Sequence, residues 1–176
     1  MKRTTFSLLL AGVLLFAATE PLVNRAMLLQ VEKKIDQKLE SLYDEPFLLL
    51  GMTRGMYLDK FGAVFSADLQ LVVTPGAGTF GFTTPTKELI ASTRAKKLQR
   101  LPQLKDAMKG QLVTAATMLD KLPPEENIVI GVSLFRRNWE DTAGIPSQVV
   151  LRALRKDLLA ARSAAALDAA IQVREF

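Results

Sequence analysis

The chain contains no cysteine and no histidine. Without cysteine there is no disulfide, no thiolate nucleophile and no lipidated cysteine anchor. Without histidine the commonest metal ligand and the usual general base near neutral pH are missing. Ser-His-Asp triads, Cys-His dyads and the zinc and iron sites built on these side chains are therefore excluded. The missing cysteine does not fix the compartment, because exported bacterial proteins can lack it as well. Long apolar runs are also absent. The stretch Phe6 to Ala18 covers 13 residues, whereas a membrane-spanning helix needs about 20.

That short run follows Lys2 and Arg3, and a basic start before a short apolar core matches a secretory signal. Cleavage is expected before Glu20, after Ala17 and Thr19, or near Ala26. If uncut, the segment becomes an N-terminal anchor. Residues 1–19 are thus read as signal peptide or anchor, and the protein as periplasmic or secreted. The net charge of +5 falls to +3 once Lys2 and Arg3 are set aside, too small a bias to argue for nucleic acid. At 176 residues the chain suits one domain that buries roughly two thirds of its unfolded surface.

Arg54 to Val73 carries the clearest pattern. From Ala63 to Val73 every odd position is apolar, and a period of two with one apolar face marks a half-buried strand. Met56 to Asp59 reads as its partner, with Lys60, Phe61 and Gly62 at the turn. Upstream, Leu28, Val31, Ile35, Leu39 and Leu42 recur at helical spacing. Residues 20–46 are therefore expected to form an amphipathic helix, stopped at Pro46 and packed on its own domain rather than in a coiled coil. Residues 47–176 are expected to form a single α+β domain.

Within that domain Thr84-Pro85 reads as N-cap and first residue of a long helix reaching about Leu122 and kinked near Pro102. Asn127 to Arg137 and Ser147 to Arg155 alternate as a second hairpin. With Thr142 and Ala143 at the tip, Leu134 opposes Leu151 and Val132 opposes Ala153. Lys156 to Ala170 favours helix, and Ile171 to Phe176 reads as a last edge strand. The expected fold is an antiparallel sheet of two hairpins packed against the long helix and a shorter C-terminal helix.

Three motifs invite chemistry. Gly76-Ala77-Gly78-Thr79-Phe80-Gly81 matches G-x-G-x-x-G after a strand. Yet the helix signal begins only after the third glycine, and Lys96, Lys97 and Arg100 occupy the region where an acid should hold a ribose. It reads as a connecting loop. Gly131-Val132-Ser133 resembles the start of a nucleophile elbow, but Phe135 stands where the second glycine belongs. Glu140 and Asp141 have the chemistry of an acid/base pair or a hard-cation site without the spacing of a calcium loop. No catalytic residue, cofactor site or metal site is assigned.

Two surfaces remain. Between Lys87 and Lys109 a helical stripe carries Lys87, Arg94, Lys96, Lys97, Arg100, Lys105 and Lys109, suited either to solvent or to anionic lipid and polymer. The less apolar face of the second hairpin would gather Phe135, Arg137 and Arg152, with Trp139 just beyond. Arginine among aromatics is the composition favoured at interfaces, so these four residues are the partner-binding candidates.

Tyr57 to Phe65, with Leu134-Phe135 and Trp139-Glu140-Asp141, resembles a group of exported bacterial proteins with no assigned activity. The resemblance implies export and carries over no functional residue. The chain is thus read as a non-catalytic envelope protein that binds another protein, an envelope polymer or itself, with no nucleic acid. Membrane contact is open to its N-terminal segment or its basic helix face. The alternatives are a periplasmic hydrolase using carboxylates or a hard cation, and a membrane-tethered structural protein.

Overall fold

A computed structural model describes residues 22–45, 47–74 and 85–176. The proposed signal segment, Pro46, the glycine motif and Thr84 lie outside the described residues. The fold is α+β with a mixed, six-stranded sheet. In chain order come α1 (Arg25–Glu40), β1 (Leu48–Leu49), β2 (Arg54–Leu58), β3 (Gly62–Gln70), α2 (Lys87–Met118), β4 (Asn127–Leu134), β5 (Gln148–Leu154), α3 (Arg155–Ala160), α4 (Ala164–Ala170) and β6 (Gln172–Glu175).

The sheet order is β1-β3-β4-β5-β6, and β2 shares the outer side of β3 with β1. β2 and β3 pair antiparallel, as do β4 with β5 and β5 with β6. The central pair, β3 and β4, is parallel. This corrects the expected all-antiparallel sheet. Among the described residues one helix, α2, lies between the two hairpins and carries the chain back along the sheet, so β4 starts at the end where β3 started.

The register of the second hairpin is also corrected: Val132 faces Val149, and Ile130 faces Leu151. The slip from the expected pairing is even, so every side chain keeps its face and alternation alone could not detect it.

The apolar faces meet the helices on one side of the sheet. Phe65, Leu69, Ile130, Val132 and Leu151 are buried against Val31, Ile35 and Leu39 of α1 and Leu104, Met108 and Leu112 of α2. At roughly 1.5–3 kcal/mol per buried side chain, the three α1 residues make that helix part of the core. Asn24 caps α1, its Oδ1 accepting from the Met27 amide at 3.0 Å. The long helix starts later than expected, with Thr86 rather than Thr84 as N-cap and its Oγ1 accepting from the Leu89 amide at 3.2 Å. It continues through Pro102, although proline removes an intrahelical hydrogen bond. Leu101, Leu104 and Met108 bury on either side. The expected single C-terminal helix is two, because Ser163 interrupts it and caps α4 through the Ala166 amide.

The edge made by β1 and β2 is covered by acids of α1. Asp36 Oδ1 accepts from the Thr53 amide at 2.9 Å, and Glu32 Oε1 from the Gly55 amide at 2.6 Å. Arg25 pairs with Glu32 and donates to the Gly55 carbonyl at 3.2 Å. Occupying edge amides in this way blocks strand addition there. Among the described residues no helix is long and apolar enough to cross a membrane.

Candidate functional site

The four candidate residues do not form one patch. Phe135 and Arg137 follow the C-terminal end of β4, where the Arg137 guanidinium lies 6.0 Å from the Phe135 ring centroid. Phe135 is 43% exposed, and Trp139 is half-buried in the following loop. Arg152 instead stands opposite Val129, six residues before Phe135. At about 3.3 Å per residue that is roughly 20 Å away. The register shift accounts for the separation.

Arg152 has a structural task at its own end of the sheet. The Asn127 amide and its Nδ2 both donate to the Phe61 carbonyl at 2.8 Å. Arg152 Nε donates to Asn127 Oδ1 at 2.8 Å, and its guanidinium lies 5.4 Å from the Phe61 ring centroid. These contacts tie the β2–β3 turn to β4 and β5. Arg152→Ala is therefore expected to cost about 1–2 kcal/mol, from one charge-assisted hydrogen bond and an exposed cation–π contact. A fall in thermal midpoint of roughly 2–8 °C follows for a chain of this size. An unchanged midpoint in a circular-dichroism melt would show the lock to be idle.

The basic stripe on α2 is largely occupied from within. Lys96 and Arg100 pair with Glu45, Lys105 with Glu175, and Lys109 with Asp106 and Asp168. Arg100 also donates to the Leu71 carbonyl and lies 4.8 Å from the Tyr43 ring centroid. Burial pushes the Tyr43 phenol up to about 12, with the Arg100 charge opposing it. Arg94 Nε donates to the Ala143 carbonyl at 2.9 Å and lies 3.5 Å from Asp141. Lys97 pairs with Glu140, their side chains being 3% and 2% exposed.

That last pair accounts for the acid doublet. Glu140 is held by Lys97 inside the protein, and Asp141 Oδ1 accepts from the Ala143 amide at 2.9 Å. Both carboxylates fasten the β4–β5 connection onto α2. Among the described residues no three acidic side chains come together as a metal site. Ser133 sits in β4 between Asp68 of β3 and Gln148 of β5, and no hydrogen bond joins it to the Asp68 carboxylate among the described residues. Two depressions, of about 380 and 480 Å³, flank α1. The first is lined by Lys33, Asp36, Gln37 and Glu40 of the helix with Leu49, Gly51 and Met52.

One face of the sheet packs against no helix among the described residues. Leu48, Met56 and Leu58 of the edge strands point to it, and they are 47%, 50% and 46% exposed. Leu50 and Phe61 add further exposed apolar surface along the same stretch. Val64, Val129 and Val150 continue the face inward, and Arg54, Arg152 and Arg174 punctuate it. The sequence signal was present in the even positions from Leu48 to Leu58, which are apolar except at Arg54. No family model, no curated protein and no solved structure matches this chain.

Proposed function

We propose that the protein is a non-catalytic, exported envelope protein that binds another protein or an envelope polymer through the helix-free face of its sheet. The observation that carries this reading is the exposed apolar row Leu48, Leu50, Met56 and Leu58. Contiguous apolar surface on a folded domain marks an interaction site. The candidate acid/base groups support a non-catalytic role: Glu140 and Asp141 are committed to Lys97, Arg94 and a loop amide. A hydrolase built on that pair would have to give up its own fastening to work.

The test is chemical crosslinking in intact cells, comparing the parent with Met56→Asp/Leu58→Asp. Both side chains are about half exposed, so each substitution should cost about 1 kcal/mol in lost burial and strand propensity. The expected result is loss of the parent's crosslinked species from a protein that stays folded, its thermal midpoint lower by roughly 4–8 °C. Crosslinking that survives the double substitution would remove the face from consideration. Fractionation of the same cells tests export. A cytoplasmic protein retaining Met1 would contradict it, and an envelope-bound one retaining Phe6 to Ala18 would favour the tethered reading.

A further inference from the structure

The helix-free face has a charge pattern as well as an apolar one. Arg54 faces Ser66, Ser66 faces Gly131, Gly131 faces Val150, and Val150 faces Arg174. These five residues form one row across the sheet, perpendicular to the strands. An arginine stands at each end and small side chains lie between. Four strand spacings of about 4.8 Å put the two arginine backbones roughly 19 Å apart. Above Gly131 there is space: an added Cβ would meet nothing closer than 3.8 Å. The neighbouring row runs Met56, Val64, Val129 and Arg152.

Arg54 and Arg174 differ from the cations of α2. Their side chains have no ion pair or hydrogen bond among the described residues, and both are exposed. Among the described strand residues, Asp68 is the one acid on this face. We infer that the face binds an acidic, amphipathic protein segment, with carboxylates set against Arg54 and Arg174 and apolar side chains against Met56 and Val64. This rests on the binding reading above and names the chemistry of the partner.

Charge decides between occupants. A second copy meeting this face about a two-fold axis would set three arginines and one aspartate against the same set, cation upon cation. An anionic bilayer would have to accommodate Asp68, Ser66, Ser133 and Gln148 in the plane of contact, with Asp68 repelled by the headgroups. An anionic polymer without apolar groups would leave Met56 and Val64 uncovered. A segment of about 13 residues in a helix, at 1.5 Å per residue, spans the row.

The test places a photocrosslinking residue at Ser66 of the full chain in its native envelope, with the exposed Lys121 as control position. The expected result is a protein adduct at Ser66 and none at Lys121, with a crosslinked peptide of net negative charge. Arg54→Glu/Arg174→Glu should lower that yield at least tenfold, and Arg54→Lys/Arg174→Lys should restore most of it, all at an unchanged thermal midpoint. A neutral or basic crosslinked peptide, or a yield indifferent to the Glu substitutions, overturns the acidic partner and leaves the binding reading standing. Adducts to lipid, glycan or a second copy overturn it in favour of that occupant. No adduct at Ser66 or at Val64 overturns both readings.

Discussion

Gly62→Ala is expected to leave the protein barely able to fold. Gly62 opens β3 with φ +130°, a backbone conformation that glycine tolerates and L side chains rarely adopt. A Cβ added there would stand 1.9 Å from the Asn127 carbonyl oxygen and 2.6 Å from its amide nitrogen. Those atoms belong to the neighbouring parallel strand, where Gly62 pairs with Asn127. Backbone cannot swing aside as a side chain can, so β3 and β4 must separate where their ladder begins. The Asn127 bonds to the Phe61 carbonyl lie one residue away and would be strained with it. The left-handed penalty of about 1–2 kcal/mol adds to this overlap. The total is on the order of 4 kcal/mol or more, against a typical net stability of 5–15. For this chain length the midpoint should fall by roughly 8–16 °C. Gly110→Ala is the control, because that helical glycine has nothing within 4 Å of an added Cβ. It should hold or gain about 0.5–1 kcal/mol through helix propensity. Equal midpoints for the two variants in parallel melts would show that the close approach at Gly62 is not a constraint.

The alternation from Ala63 to Val73 was legible because one face of β3 is buried, and burial enforces a period of two. The pairing of β4 with β5 was legible only to within an even shift. A slip of two residues on each strand returns Ile128, Ile130 and Val132 to the same face, so only the loop geometry between Arg137 and Ile145 sets the register. The parallel central pair had a signal in the element count. A single helix between two hairpins makes one return trip, and only an even number of traverses would have left β3 and β4 antiparallel.

Charged residues were the least legible. Glu32 and Asp36 read as the polar side of an amphipathic helix, but they lie four apart beside Val31 and Ile35. That spacing puts both on the seam where α1 meets the edge strand. In the sequence Lys97 reads as one more cation of the α2 stripe, suited to solvent or to an anionic surface. Stepping back by four from Leu101 lands on Lys97 and then on Thr93, and all three are buried. The partner-binding candidates failed to gather because the hairpin register was displaced. The exposed row from Leu48 to Leu58 is illegible to a burial argument because its alternation is apolar toward solvent, the reverse of the usual pattern.

Breaking the buried pair of Lys97 and Glu140 singly should be much worse than removing it whole. Lys97 Nζ is held by Glu140 and donates to the Phe135 carbonyl at 3.2 Å. Both side chains are almost fully withdrawn from water. Glu140 Oε1 is buried without a hydrogen-bond partner among the described residues, so its desolvation is only partly offset. Lys97→Met strands the carboxylate, and Glu140→Leu strands the ammonium. Each is expected to cost about 3–5 kcal/mol, because an unpaired buried charge must be neutralised or hydrated. Lys97→Met/Glu140→Leu removes both charges and keeps similar volume, so its stability should return to within about 1 kcal/mol of the parent or exceed it. The measurement is a double-mutant cycle by urea denaturation, with a coupling energy of several kcal/mol expected for groups in contact. Additive single effects would mean that the two side chains are separately solvated and that the β4–β5 connection is held to α2 by Arg94 alone. Recovery in the double variant would show that the pair orients the connection carrying Phe135 and Trp139 at little net gain in stability.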